Sequence, residues 1–356
     1  MIDANKIMET LRNSQVKPSK VRVEVNDVTA KVVFYKSGFI QKRTVEKKPC
    51  NIVEKKRHKK YGKVKTPITL QMQSTQCKDP LTEFDRAVCN ICMAESLAGN
   101  ECATPNIIFR ALVGKVAEVG IAPTPQMKAK IEESIDKLMC THFSADVSES
   151  YKVLKYTNGD ELKIIKSTLL PCCRVQAKIN GQIVDAVFFD RESPLLTIAN
   201  VKNQIVRYDA SLLDVPNMKS TVTNISLINY VMRRVVEIKA HRQLAPTITF
   251  DDVYQKCGLE NVSRQSKANA RDTVIRFFKN LVDKKFINSF EVVSGKSCNK
   301  IYAISFKFTP AKFSPEEINN SPVQNNNSPT SSNSDKKSEE NLKKNSYIES
   351  WTCYMD

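Results

Sequence analysis

Arg264, Gln265, Lys267, Asn269 and Arg271 stand close together in the stretch SRQSKANARDTVIRFFKNLVDKKFI, which runs from Ser263 to Ile287. These are the side-chain types that read base edges: Arg and Lys pair with guanine, Asn and Gln with adenine. At 3.6 residues per turn, Arg264, Lys267 and Arg271 share one stripe, with Gln265 and Asn269 nearby. Ala270, Val274, Phe278 and Leu281 form a second, apolar stripe. The polar set fills the first two turns, where a helix lying in the major groove meets bases. A helix N-terminus also favours a phosphate. The solvated face of any amphipathic helix has the same look, so the reading depends on the surrounding elements.

Other chemistry is poorly provided for. Strand-borne nicking of DNA needs paired histidines to hold a metal and a tyrosine nucleophile, but the three histidines, His58, His142 and His241, are scattered. Ser294-Gly295-Lys296-Ser297 ends like a phosphate-binding loop. The motif needs glycine where Phe290 stands, and a helix afterwards where a strand is expected. Cys89 and Cys92 have zinc-ligand spacing, with Cys77 and Cys102 as conceivable partners, but they fall inside a helix rather than on the tight turns of a zinc finger. Cys172 and Cys173 would point to opposite faces of a strand. The expectation is a protein that is not an enzyme, with no catalytic residues, cofactor or metal. A nuclease built from clustered carboxylates would leave no trace in the spacing.

The chain has 356 residues and a formal net charge of +17. Such a charge favours a polyanionic partner, and the absence of a long apolar run argues against a membrane. The polar opening Met1-Ile2-Asp3-Ala4-Asn5 is unlike a secretory signal. Eleven cysteines without regular spacing suggest reduced thiols in the cytoplasm, and only nine glycines argue against a Gly-rich cofactor fold.

Residues 1–77 read as a basic, partly disordered arm, with eleven Lys/Arg against two Glu between Lys42 and Lys65. Within it, alternating Val21, Val23 and Val25 followed by Lys31 to Tyr35 suggest a short hairpin. The run Lys55 to Lys60 suits nonspecific attraction to nucleic acid, a nuclear address or a solvated linker.

Residues 78–216 form a first unit. Thr82 caps one helix, Thr104-Pro105 opens a second that Gly114 stops, and Thr124-Pro125 opens a third. Ile131, Ile135, Leu138 and Met139 line that third helix's inner face. Strands follow over His142 to Val147, Glu161 to Lys166, Cys172 to Ile179 and Gln182 to Phe189. The last two are joined by Asn180-Gly181, a tight hairpin turn. Pro194 begins a short helix, and Gln204 to Tyr208 is extended.

Residues 217–309 repeat the pattern. A helix capped by Ser226 is followed by an extended piece over Ile248 to Phe250 and a brief helix ended by Gly258. The quoted helix comes next, then two strands over Phe286 to Val293 and Lys300 to Phe306. Helix, short strand, helix, helix, hairpin is the winged-helix order. The hairpin tip, with Lys296 and Lys300, would touch the DNA backbone. The equivalent helix of the first unit starts with Gln126, Lys128 and Lys130 but continues with Glu132, Glu133 and Asp136. It suits DNA contact at its start or a protein interface. Residues 310–356 read as a disordered tail. Tyr347, Ile348, Trp351, Tyr354 and Met355 share one helical face in its last residues, a candidate partner-binding peptide led by Trp351 and Tyr354.

The fold class expected is therefore α+β: two tandem winged-helix domains, a β-rich connecting segment, a basic arm and a disordered tail. With LTEFDRAVCNIC, TPNIIFRALVGK, SPLLTIANVKNQIVRYDASLLDVP and NISLINYVMRRVVEIKA, the chain resembles the replication initiator proteins of plasmids and related mobile elements. The resemblance covers about residues 80 to 308. It implies that the second unit reads repeated origin sites in double-stranded DNA through Arg264, Gln265, Lys267, Asn269 and Arg271. It also implies that the first unit contributes backbone contact and a homodimer, and that host helicase or replisome proteins are recruited. The acidic residues after Lys130 depart from a simple two-headed clamp. A winged-helix transcriptional regulator and a protein-interaction scaffold are the alternatives.

Overall fold

The computed structural model describes residues 4–13, 18–25, 50–58, 62–74, 81–146, 164–179, 181–190, 192, 193, 195, 196, 199, 205–240, 245–295 and 301–308. Lys31 to Tyr35, Asn180, Lys296, Lys300 and the tail, with Trp351 and Tyr354, lie outside the described residues.

Helices and strands are mixed along the chain. The first three-helix group is α2 (Glu83–Leu97), α3 (Pro105–Leu112) and α4 (Pro125–Cys140). Each starts where a threonine hydroxyl accepts a backbone N–H of the first turn: Thr82 from Asp85, Thr104 from Ile107 and Thr124 from Met127. Asp85 returns a bond to the Thr82 backbone, completing a capping box. Strand β4 (Cys102–Ala103) lies between α2 and α3, and the hairpin β7 (Cys172–Ile179) and β8 (Gln182–Phe189) closes the group. The sheet order is β4-β8-β7. Gly181, at φ 81°, makes the tight turn that the sequence demanded.

The second group repeats this topology. Helix α5 (Val222–Ala240) is followed by β10 (Thr247–Thr249), α6 (Phe250–Lys256), α7 (Arg264–Asp283), β11 (Ile287–Ser294) and β12 (Ile301–Phe308). Here the order is β10-β12-β11, so in both groups the short first strand pairs with the last. Ser226 does not cap α5. The helix begins a turn earlier, where the Thr221 hydroxyl accepts from the Asn224 N–H, and Ser226 is buried within it. Phe250 is likewise helical, because Thr249 caps α6.

Two apolar cores result. One gathers Phe84, Ile91, Ile108, Ile131 and Leu138. The other gathers Val231, Val235, Val274, Phe277, Phe278 and Phe306, with Phe278 stacked between Phe290 and Phe306 at 5.6 and 5.4 Å. Strand β9 (Ile205–Asp209) and the 3-10 turn Ala210–Leu213 supply Val206, Tyr208, Leu212 and Leu213 to this second core. Cys172 faces the first core, whereas Cys173 packs with Ala186 and Phe188 on the other side of the sheet. Helix α1 (Ala4–Asn13) covers that side through Ile7 and Leu11.

Strands also occur among the described residues of the arm. Strand β1 (Val21–Val25) pairs antiparallel with β9, Val21 opposite Asp209. Val23 and Val25 are buried in the first core. Glu24 is held by Arg22 at 3.1 Å, by the Tyr208 hydroxyl at 3.0 Å and by Asn90. Arg22 also donates to Asn229 of α5, and Arg86 of α2 to the Val25 carbonyl. Strands β2 (Cys50–His58), β3 (Gly62–Ser74), β5 (Thr141–Asp146) and β6 (Ile164–Thr168) build a four-stranded sheet in the order β2-β3-β5-β6.

Gly114 ends α3 at φ 75°, against the 3-10 turn. A Cβ there would lie 2.4 Å from the Asp214 nitrogen and 2.7 Å from the Ala210 oxygen, both backbone atoms. Gly114→Ala combines a left-handed backbone with overpacking. It is expected to cost at least about 2 kcal/mol in urea unfolding.

Candidate nucleic-acid interface

Helix α7 starts at Arg264 because the Ser263 hydroxyl accepts the Ser266 N–H at 3.1 Å. Its inner face is Ala270, Val274, Phe277, Phe278 and Leu281. Its outer face is read from exposure: Arg264, Gln265, Ser266, Asn269, Asp272, Arg276 and Lys279 are exposed. Ser263, Arg264, Gln265 and Ser266 are exposed, so the start of the helix faces solvent, with the Ser266 N–H taken by the Ser263 cap.

The expected Arg264–Lys267–Arg271 stripe divides. Arg264 is exposed and has no ion-pair or hydrogen-bond partner among the described residues. Lys267 and Arg271 are half-buried on the flank facing α6. Lys267 donates to the Glu260 carbonyl at 2.6 Å and lies 5.4 Å from the Tyr254 ring centroid. The Tyr254 hydroxyl donates to the Lys267 carbonyl at 3.2 Å, with Arg271 close enough to act on the phenol electrostatically. Burial raises the Tyr254 pKa, with Arg271 working against that rise. Tyr254 thus fixes the angle between α6 and α7. The apolar stripe lies beside these two positions, which is why they turn inward.

Gln265 and Asn269 sit one turn apart, and the Gln265 amide donates to the Asn269 oxygen at 2.9 Å. That bond leaves the Gln265 oxygen as an acceptor and the Asn269 amide as a donor. An adenine major-groove edge, with N7 acceptor and N6 donor, is complementary to that pair. Arg276 and Lys279 extend the same outer face and were missed in the sequence. Their helical spacing from Asn269 and Asp272 is the signal that places them there.

On α4, Gln126 is exposed, but both lysines are engaged. The Lys128 amine meets Asp185 at 2.5 Å and Glu132 at 3.7 Å, and Lys130 meets Glu133 at 2.8 Å. The bond to Asp185 raises the Lys128 pKa, and Lys128 in turn lowers that of Asp185. Lys137 joins Glu133, and Arg174 joins Asp136. This surface is internally neutralised.

No family model and no curated protein matches the sequence. Two solved structures show a loose likeness. One contains domains 2 and 3 of RctB, at 16% identity and a TM-score of 0.37, with 80% of this chain and 99% of that chain covered. The other is the Pi initiator protein in complex with iteron DNA, at 12% identity and a TM-score of 0.33, with 65% and 96% covered.

The remaining candidate chemistry is quiet. Cys89 and Cys92 are buried within α2, and burial pushes the Cys89 thiol up to about 12 and Cys92 well above the ordinary range. Among the described residues no group of His, Cys, Asp and Glu is placed to hold a metal, and no helix is long and apolar enough to cross a membrane. Phe290, where a phosphate loop needs glycine, packs on Phe278, and strand β12 follows the turn.

Proposed function

We propose that the chain is a sequence-specific double-stranded DNA-binding protein with two tandem winged-helix units, and that it starts replication of a plasmid or mobile element from repeated origin sites. The observation that carries the DNA-binding part is the outer face of α7. Arg264, Gln265 and Asn269 are exposed beside a solvent-facing helix N-terminus. The replication part rests on the resemblance of about residues 80 to 308 to initiators, carried mostly by the order of elements. Helix–strand–helix–helix–hairpin order in both groups supports the winged-helix reading, and the β11–β12 hairpin is the wing. Lys267 and Arg271 act as positioning residues, holding α7 against Tyr254. The ion-paired surface of α4 suits protein contact, such as a homodimer, better than phosphate contact. Recruitment of helicase or replisome proteins, a cytoplasmic setting and the absence of enzymatic activity complete the proposal.

The test is selection from a random duplex library at moderate salt, wild type beside Arg264/Gln265/Asn269→Ala. A good bidentate contact is worth about 1–3 kcal/mol of discrimination, so the triple variant should lose at least about 100-fold in specific affinity. Wild-type recovery of a short sequence, bound better as direct repeats, supports initiation. A single palindrome would favour a transcriptional regulator. Equal recovery of all duplexes by both proteins would overturn specific readout and favour the scaffold.

A further inference from the structure

The outer face of α7 runs along one line. Gln265, Asn269, Asp272, Arg276 and Lys279 are all exposed and follow one another at steps of four and three. At about 100° per residue they fall within about 80° of arc, with Asp272 at the middle of the row. Asp272 is the odd member, because the other charged residues of the row, Arg276 and Lys279, are cations. Its carboxylate has no ion-pair or hydrogen-bond partner among the described residues, although Arg276 stands four residues on. Helix α4 behaves differently at the same spacings. There Lys128 pairs with Glu132, and Lys130 and Lys137 both pair with Glu133.

A carboxylate at the centre of a face laid against DNA is repelled by the phosphates of both groove walls. That repulsion is offset where the carboxylate meets a hydrogen-bond donor. In the major groove the donors are N4 of cytosine and N6 of adenine. Adenine sets its N7 acceptor beside N6, guanine shows two acceptors, and thymine shows an acceptor and a methyl group. Cytosine is the base that shows a donor and no acceptor. Asp272 stands about 4.5 Å along the axis from Asn269, close to one base step of about 3.4 Å.

We infer that Asp272 is a specificity-determining residue that accepts a hydrogen bond from cytosine N4, within about two base pairs of the adenine that Gln265 and Asn269 fit. The inference rests on the DNA-binding reading and extends it from one base to two. Arg276 and Lys279, further along the row, contact phosphate and offset part of the repulsion. The same carboxylate weakens binding to duplexes that lack the cytosine, since guanine in its place opposes it with two acceptors. Selectivity at this position therefore comes from repulsion as well as attraction.

The experiment selects from a random duplex library at moderate salt with the full chain as wild type, Asp272→Ala and Asp272→Asn. Wild type should recover a sequence with cytosine fixed within about two base pairs of an adenine. Asp272→Ala should keep the adenine, lose about 5- to 100-fold in preference for the cytosine, and bind random duplex more tightly. Asp272→Asn should move the preference at that position towards adenine, because the amide adds a donor beside the acceptor. Both variants should unfold at the wild-type urea midpoint; a lowered midpoint would reveal a partner within the fold and overturn the inference. If Asp272→Ala recovers the wild-type sequence at every position while Arg264/Gln265/Asn269→Ala loses it, the role of Asp272 falls and the DNA reading stands. Uniformly tighter binding of all duplexes by Asp272→Ala, with base preference unchanged, makes Asp272 a solvated charge and also overturns the inference. Failure of wild type to recover any sequence overturns the DNA reading with it.

Discussion

A chain beginning after Val25 is expected not to fold. Composition makes such a truncation look harmless, because it removes only the start of a basic arm. The structure makes β1 a wedge between the two cores. Its loss exposes the edge of β9 and uncovers the surface against which Val23 and Val25 pack, worth about 1.5–3 kcal/mol for each side chain. It also strands polar groups. Asn90 and Tyr208 lose Glu24, Asn229 loses Arg22, and Arg86 loses the Val25 carbonyl. Each buried group left without its partner costs about 1–3 kcal/mol, against a total stability for a typical protein of about 5–15 kcal/mol. The measurement is urea unfolding of the truncated chain beside the full chain. A cooperative transition at the full-chain midpoint would contradict the wedge.

The second large effect is expected at Arg233. Its guanidinium makes two hydrogen bonds to the Glu83 carboxylate, with both side chains almost wholly buried, at 1% and 2% exposure. Glu83 opens α2 in the first core and Arg233 lies mid-way along α5, so this pair spans the two helical groups. The Arg233 guanidinium also lies 5.1 Å from the Tyr230 ring centroid. Arg233→Ala leaves a buried carboxylate without its main counter-charge and should cost about 3–5 kcal/mol. Glu83→Leu combined with Arg233→Met replaces both ions by apolar groups and should recover most of that loss. Denaturant midpoints of the single and double variants decide it. A double variant as unstable as Arg233→Ala would mean the charges are not the source of the effect.

Local chemistry was legible and long-range pairing was not. Thr82, Thr104 and Thr124 announce their helices because a cap is settled within three residues. Gly181 marks its hairpin because a tight turn needs its positive φ. The end of α7 is less local, since it depends on where the core stops. Its inner face was nevertheless readable from Ala270, Val274, Phe278 and Leu281. The partner of β1 could not be read, because nothing near Val21 indicates a strand at Asp209. The place of Tyr254 is not legible for a similar reason. Its role comes from packing between helices, and that packing turned Lys267 and Arg271 away from the outer face. Lys128 looked available for DNA because Asp185, its counter-ion, stands on a distant strand.

The junction at β1 also sets an order of events in time. Val21 must wait for Asp209, which follows the whole of the first helical group. At a synthesis rate of about 5–20 residues per second, the strand Val-Arg-Val-Glu-Val is made at least about ten seconds before its partner leaves the ribosome. During that interval it is an unpaired apolar edge, a template for pairing between nascent chains. The helices of the first group have mostly local contacts and can form early, whereas the wedge closes only late. The step that joins the two cores therefore belongs to the end of folding, and the newborn chain is most exposed to misassembly just before it.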